Sequence, residues 1–191
     1  MQKYALKYRP KLIVAGYSAS MIHYDYKRMK EVCESVGAYL HCDMAHVSGL
    51  VATGNCPNLF EHADIVTSTT HKTLQGPRGA IMFFRKGVRS TNPKTGAVTN
   101  YDLETPLNES VYPGHQGGVY LNRVAAIGVV CKLAKTPEFK DYVDRCIANS
   151  RKMADSFAAK GYTVNSGQTE NHMVIVDISH KGVDAIRAEY F

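Results

Sequence analysis

The sequence predicts an α/β fold built on a mostly parallel sheet with helices on both faces, and three observations predict it. Short apolar runs recur at Lys11–Ala15, Tyr39–Cys42 and Ile65–Ser68. Continuous runs of this length read as strands buried between two layers. Between the first two runs, Met29, Val32, Cys33 and Val36 stand at i, i+3, i+4 and i+7, the apolar face of a helix. Strand, helix and strand within about 30 residues form a βαβ unit, whose right-handed crossover makes the strands parallel.

The elements follow in order. The residues before Lys11 read as the tail of a helix entering the first strand, which Gly16 stops. The helix over Asp25–Val36 closes at Gly37, the residue type that best takes the left-handed C-cap. Ala80–Phe84 reads as a fourth strand. Lys86–Pro106 is polar and turn-rich, a surface excursion. Leu121–Ala134 is apolar enough to predict a largely buried helix. A second helix over Glu138–Lys160 starts behind Pro137, ends at Gly161 and presents Tyr142, Cys146, Met153 and Phe157 at roughly helical spacing. Thr163–Asn165 and Met173–Ile178 read as strands and Asp184–Tyr190 as the start of a helix. Both ends look cut, so a fragment of a longer protein is expected.

Composition narrows the function classes. The chain has 191 residues, 45% of them hydrophobic and 21% charged, which excludes collagen, coiled coil and disorder. No apolar run approaches the ~20 residues of a membrane span, and no apolar segment follows Lys3, Lys7 and Arg9 to make a secretory signal. The net charge is +6, but it is dispersed. The densest basic stretch, Arg85, Lys86, Arg89 and Lys94, reads as a solvated loop, so neither nucleic acid nor a membrane is expected as partner. Five cysteines without CxxC spacing support neither a disulfide framework nor a zinc ribbon. A reducing compartment follows, cytoplasmic or mitochondrial, with the cytoplasm preferred.

Three stretches carry chemistry. Ile65–Arg78 runs from a strand into a polar loop with Thr69, Thr70, His71 and Lys72, closed by Gly76-Pro77. Ligands of open parallel sheets bind beyond the carboxyl ends of the strands, where Lys72 stands. Asp43, in His41-Cys42-Asp43-Met44-Ala45-His46, ends the preceding strand. An acid facing a lysine across neighbouring strand ends suits pyridoxal 5′-phosphate, which needs an acidic partner for its ring nitrogen and a lysine for attachment. Two alternatives stay open: a metal held by H-x-D-x-x-H, and a hydrogen-bonded structural cluster. The third stretch, Tyr112-Pro113-Gly114-His115-Gln116-Gly117-Gly118, lets backbone N–H groups approach an anion, or is simply a turn before a helix.

KLIVAGYSA, YLHCDMAHVSGLVA, DIVTSTTHKTLQGPRG, YPGHQGG and GYTVNSG with NHMVIVDI together resemble the serine hydroxymethyltransferase family, in its eukaryotic form. The resemblance implies a fold-type-I, aspartate aminotransferase-like transferase dependent on pyridoxal phosphate. It places residues 1–135 in the large cofactor domain, helical connector from about 119, and residues 136–191 in the connector helix and the start of a small α/β domain. The implied activity is glycine hydroxymethyltransferase: serine and glycine interconverted, with tetrahydrofolate as co-substrate. The implied roles are attachment of the cofactor at Lys72 and a ring-nitrogen contact at Asp43. Ser18 and His46 stand near the cofactor oxygen and substrate carboxylate, His71 and Thr69 on the substrate side, and Arg78 orders the lysine loop. Gly117 and Gly118 resemble glycines that reach the phosphate of a neighbouring subunit's cofactor, which implies a homo-oligomer with shared sites. Val119-Tyr120 departs from the family's usual Pro-His at that point. Two rivals remain: another fold-type-I enzyme such as a threonine aldolase, and a non-catalytic remnant or regulatory paralogue that binds a partner. No resident metal is expected.

Overall fold

The computed structural model describes residues 1–190. Helix α1, Gln2–Tyr8, leads into strand β1, Leu12–Gly16, and then into α2, Tyr26–Val36. The Asp25 side chain caps α2 by accepting from the Arg28 N–H at 2.9 Å, and Gly37 ends it at φ 74°. A side chain is strained at that φ, which is why glycine closes the helix. Strand β2, Tyr39–Asp43, the short helix α3, Ser48–Ala52, and strand β3, Ile65–Thr69, complete the crossovers.

The sheet runs β1-β2-β3-β4. The first three strands are parallel, with Val14 against His41 and Asp43 against Thr67. Strand β4, Ala80–Phe84, turns back antiparallel on β3, so the sheet is mixed and mostly parallel. Period-2 alternation sorts the faces. Ala15, Leu40, Cys42 and Val66 are buried on one face, in a core with Tyr26 and Cys33 from α2 and Leu50 from α3. His41, Asp43 and Thr67 point to the opposite face and are only half-buried.

That opposite face is covered over part of its width. Helix α4, Glu104–Glu109, and the π-helical turn Ser110–His115 lie beside Met82 and Phe84 of β4. On β1 at the other edge, Leu12 and Val14 stay 43% and 61% exposed. The surface excursion holds a hairpin, β5 (Val88–Thr91) with β6 (Val98–Asn100), fastened where the Arg89 guanidinium stacks 3.8 Å over the Tyr39 ring.

Two expectations are corrected. Helix α5, Leu121–Leu133, forms where predicted, yet none of its residues is buried. Leu121 is 73% and Val129 58% exposed, because the described chain packs against only one side of a helix that is apolar all round. Helix α6, Pro137–Ala159, buries Phe139, Val143, Ile147, Ser150 and Ala154, whereas the predicted residues Tyr142 and Met153 face solvent. Its N-cap is Thr136, whose hydroxyl accepts from the Phe139 N–H. Phe139, Val143 and Ile147 join the main core, while Ala154 and Phe157 close a second cluster with Met21 and Val164. The pair β7 (Thr163–Val164) and β8 (Val176–Asp177) is shorter than the predicted strands, and Asp184 caps the closing helix α7, Ala185–Glu189.

Candidate active site

Asp43 is the last residue of β2, and Thr67 of β3 is its neighbour in register. The Thr67 hydroxyl donates to Asp43 Oδ2 at 2.6 Å, and the Ala45 N–H donates to Oδ1 at 3.0 Å. Gly16 of β1 is required beside this carboxylate, since a Cβ there would stand 2.9 Å from the Asp43 Cβ. His41, two residues earlier on the same face, meets Thr67 Oγ1 through Nε2 at 2.9 Å.

After β3 the chain forms a closed loop. Thr70 is fully buried, its hydroxyl donating to the Pro77 carbonyl at 2.6 Å and its carbonyl accepting from the Gly76 N–H at 2.6 Å. Gly76 is required there, because a Cβ would fall 2.6 Å from the Thr70 oxygen. Lys72 rides on this loop, and its Nζ lies 3.0 Å from His46 Nε2. His46 is itself fixed from the lysine loop, since the Thr73 hydroxyl donates to its carbonyl at 2.9 Å. The same hydroxyl accepts from the Gly49 N–H at 3.0 Å, tying the start of α3 to the loop.

Burial and the neighbouring Lys72 cation hold the His46 imidazole below its ordinary pKa, so it is neutral near pH 7 and its Nε2 lone pair can accept from the ammonium. Burial also lowers His41. It lowers His172 as well, on the loop after β7, with His46 contributing to that shift.

The structure brings most of the expected residues together. Asp43, Thr69 and Arg78 line one cavity of about 580 Å³ together with Gln116 and Arg123. Lys72 and His46 form a pair at the same carboxyl ends of the strands. Thr69 Oγ1 and His71 Nδ1 are buried without a hydrogen-bond partner. Orphaned buried polar atoms cost free energy unless something supplies a partner, and here two of them lie in the three residues before the lysine. An acid at a strand end, a loop lysine and unpaired polar atoms beside a cavity fit pyridoxal phosphate.

Other expectations are not met within this chain. Ser18 is exposed and makes no hydrogen bond to a site residue among the described residues. Gly117 and Gly118 are exposed, with nothing within 4 Å of where a Cβ would be, so no close approach inside this chain requires them. Their neighbour Gln116 is the part of that stretch reaching the cavity. Among the described residues no three His, Cys, Asp or Glu side chains converge as metal ligands. His41 and Asp43 are instead joined through Thr67.

Sequence reasoning passed over Thr67, Thr73, Gln116 and Arg123. Thr67 had a signal: it lies two residues before Thr69 on the same face of β3, next to the strand that ends in Asp43. Arg123 had none, because a helical arginine in an apolar stretch gives no hint of the cavity it borders.

The family model for serine hydroxymethyltransferase matches residues 1–191. The chain is 53% identical over 190 residues to "Serine hydroxymethyltransferase, cytosolic" of Saccharomyces cerevisiae, covering 100% of this chain and 40% of that protein. It is 53% identical over 189 residues to the cytosolic protein of Candida albicans, covering 99% of this chain and 40% of the relative. To "Serine hydroxymethyltransferase, mitochondrial" of Schizosaccharomyces pombe it is 51% identical over 189 residues, covering 99% and 38%. The chain thus spans about two fifths of the length of the curated relatives it matches.

Proposed function

The chain belongs to the serine hydroxymethyltransferase family, and from that premise we propose that it carries the pyridoxal phosphate half of a site that moves the hydroxymethyl carbon between serine and tetrahydrofolate. The observation that carries this reading is the Lys72–His46 pair at 3.0 Å, on loops leaving the strands that also end in Asp43 and Thr69.

When bound, the cofactor supplies an electron sink for the bond broken at the serine α-carbon. The residues of this chain do the rest. Lys72 would hold the cofactor, with His46 Nε2, 3.0 Å from Nζ, placed to accept a proton from the ammonium. Asp43 would pair with the ring nitrogen. His71 Nδ1 and Thr69 Oγ1, buried and unpaired, serve polar groups of the cofactor and substrate. Arg78, on the rim of the cavity, adds positive charge for a carboxylate or phosphate.

We further propose that residues 1–135 act as part of the cofactor domain and residues 136–191 as connector helix and small-domain start. A homo-oligomer with shared sites is supported by the exposed Gly117-Gly118 and the exposed apolar α5. A cytoplasmic or mitochondrial setting agrees with the names of the relatives.

The test is chemical. The chain is incubated with pyridoxal phosphate, reduced with borohydride and mapped by peptide analysis. Label on Lys72 is expected, and label on any other lysine would overturn the assignment. With serine and tetrahydrofolate supplied to a longer form, Asp43→Asn should slow turnover by about a hundredfold or more, the scale for losing one electrostatic stabiliser. Near-normal turnover would remove Asp43 from the reaction.

A further inference from the structure

His41, Thr67 and Asp43 form a directional chain. A carboxylate has no hydrogen to give, so across the 2.6 Å contact Thr67 is the donor and Asp43 the acceptor. A hydroxyl has one hydrogen, and this one is committed. Across the 2.9 Å contact to His41 Nε2, therefore, Thr67 Oγ1 must accept and the imidazole must donate. The geometry thus fixes the tautomer of His41, with the proton on Nε2. The arrangement follows from the sheet. His41 and Asp43 share a face of β2, and Thr67 faces the same way beside Asp43 on β3.

We propose that His41 is a positioning residue for cofactor binding: acting through Thr67, it holds Asp43 in the one rotamer that leaves the carboxylate facing the ring nitrogen. This rests on the reading of Asp43 as the ring-nitrogen partner. Two hydrogen bonds in series strengthen one another in a poorly solvated site. Asp43 Oδ1 is held separately by the Ala45 N–H. Oδ2 has no other hydrogen-bond donor than Thr67 among the described residues, so the relay is the one side-chain contact that fixes the carboxylate. The titratable and charged groups around Asp43 are His41 on its own strand, Arg78 and Arg123 on the same cavity, and His46 and Lys72 beyond the strand end.

The test has two arms. Histidine labelled with an isotope of nitrogen reports the His41 ring by NMR in the cofactor-free chain above about pH 7.5, where imidazole is neutral. A proton on Nε2 is expected, and a proton on Nδ1 overturns the relay. In the second arm, affinity is measured for pyridoxal phosphate and for the analogue in which a C–H group replaces the ring nitrogen. Thr67→Val should weaken pyridoxal phosphate by about tenfold, the worth of a hydrogen bond to a charged group, and leave the analogue unchanged. Thr67→Ser should restore the affinity, and His41→Phe should show a smaller loss of the same kind. Equal losses with both ligands would mean a merely structural effect and would overturn the proposal. Asp43→Asn separates the two ideas. If it does not discriminate between the ligands, the reading of Asp43 fails. If it discriminates and Thr67→Val does not, the relay alone fails. Binding of neither ligand overturns both.

Discussion

At the scale of single residues, the fold keeps several imidazoles neutral, some of them in the site and some outside it. His23, His41, His46 and His172 are all held below the ordinary histidine value, in each case chiefly by burial. A depressed pKa in the folded state means that the unfolded chain binds more protons in acid. The stability is therefore fully present above about pH 6.5 and is lost progressively as the pH falls below it. Asp64 adds a second loss at lower pH. Lys30, Tyr101 and the Leu40 N–H all donate to its buried carboxylate, and together they outweigh burial to hold it below the usual carboxylate range. Thermal midpoints measured from neutral pH downward should fall first through the histidine range and again near the carboxylate range. A midpoint indifferent to pH across the histidine range would mean that these imidazoles are accessible to protons in the folded chain. Lys72 and Asp43 could be singled out in the sequence, because Asp43 ends one recognisable strand and Lys72 lies on the loop that leaves the next. Thr67 was not singled out, since a threonine in a strand is ordinary until its register against Asp43 is known.

At the scale of elements, the spacing between α3 and the lysine loop is set by one glycine. A Cβ on Gly49 would stand 2.3 Å from the Thr73 carbonyl oxygen, and backbone cannot yield as a flexible side chain does. Gly49→Ala should therefore destabilise the chain by about 1–3 kcal/mol, the cost of overpacking. It should also weaken cofactor uptake, because Thr73 is the residue that ties His46 to this loop. Denaturant midpoints and cofactor titration read the two effects, and a Gly49→Ala chain normal in both would show that α3 can shift without moving His46. The contrast with α6 shows where sequence pattern runs out. Large residues such as Tyr142 and Met153 draw the eye to one face. The buried face instead includes small Ser150 and Ala154, which let the helix approach the loop after β7. The Ser150 hydroxyl, 2.5 Å from the Asn171 carbonyl, marks that close approach. Helix α2 had no such conflict, and its apolar stripe and its closing Gly37 were read correctly.

At the scale of the whole molecule, the chain presents more apolar surface than its own elements cover. Helix α5 was expected to be buried because an all-round apolar helix has no solvent face. The prediction of its existence held and the prediction of its burial did not, because sequence pattern reports that a surface must be covered, not by which chain. Leu121, Val124, Val129 and Leu133 are each more than half exposed along this one helix. Val119 and Tyr120 extend the surface toward the glycine stretch. Contiguous apolar patches of this kind mark contact sites between proteins. The chain should therefore self-associate with rising concentration, and the association should centre on α5. Replacing Leu121 and Val124 with lysine should shift sedimentation toward the monomer while leaving the circular dichroism spectrum intact, since neither side chain packs in either core. The Lys72 labelling yield, read in the same pair of chains, tests whether association also completes the site. If the double variant associates as strongly as the original, the contact lies elsewhere, and the exposed Leu12 and Val14 of β1 are the surface to examine next.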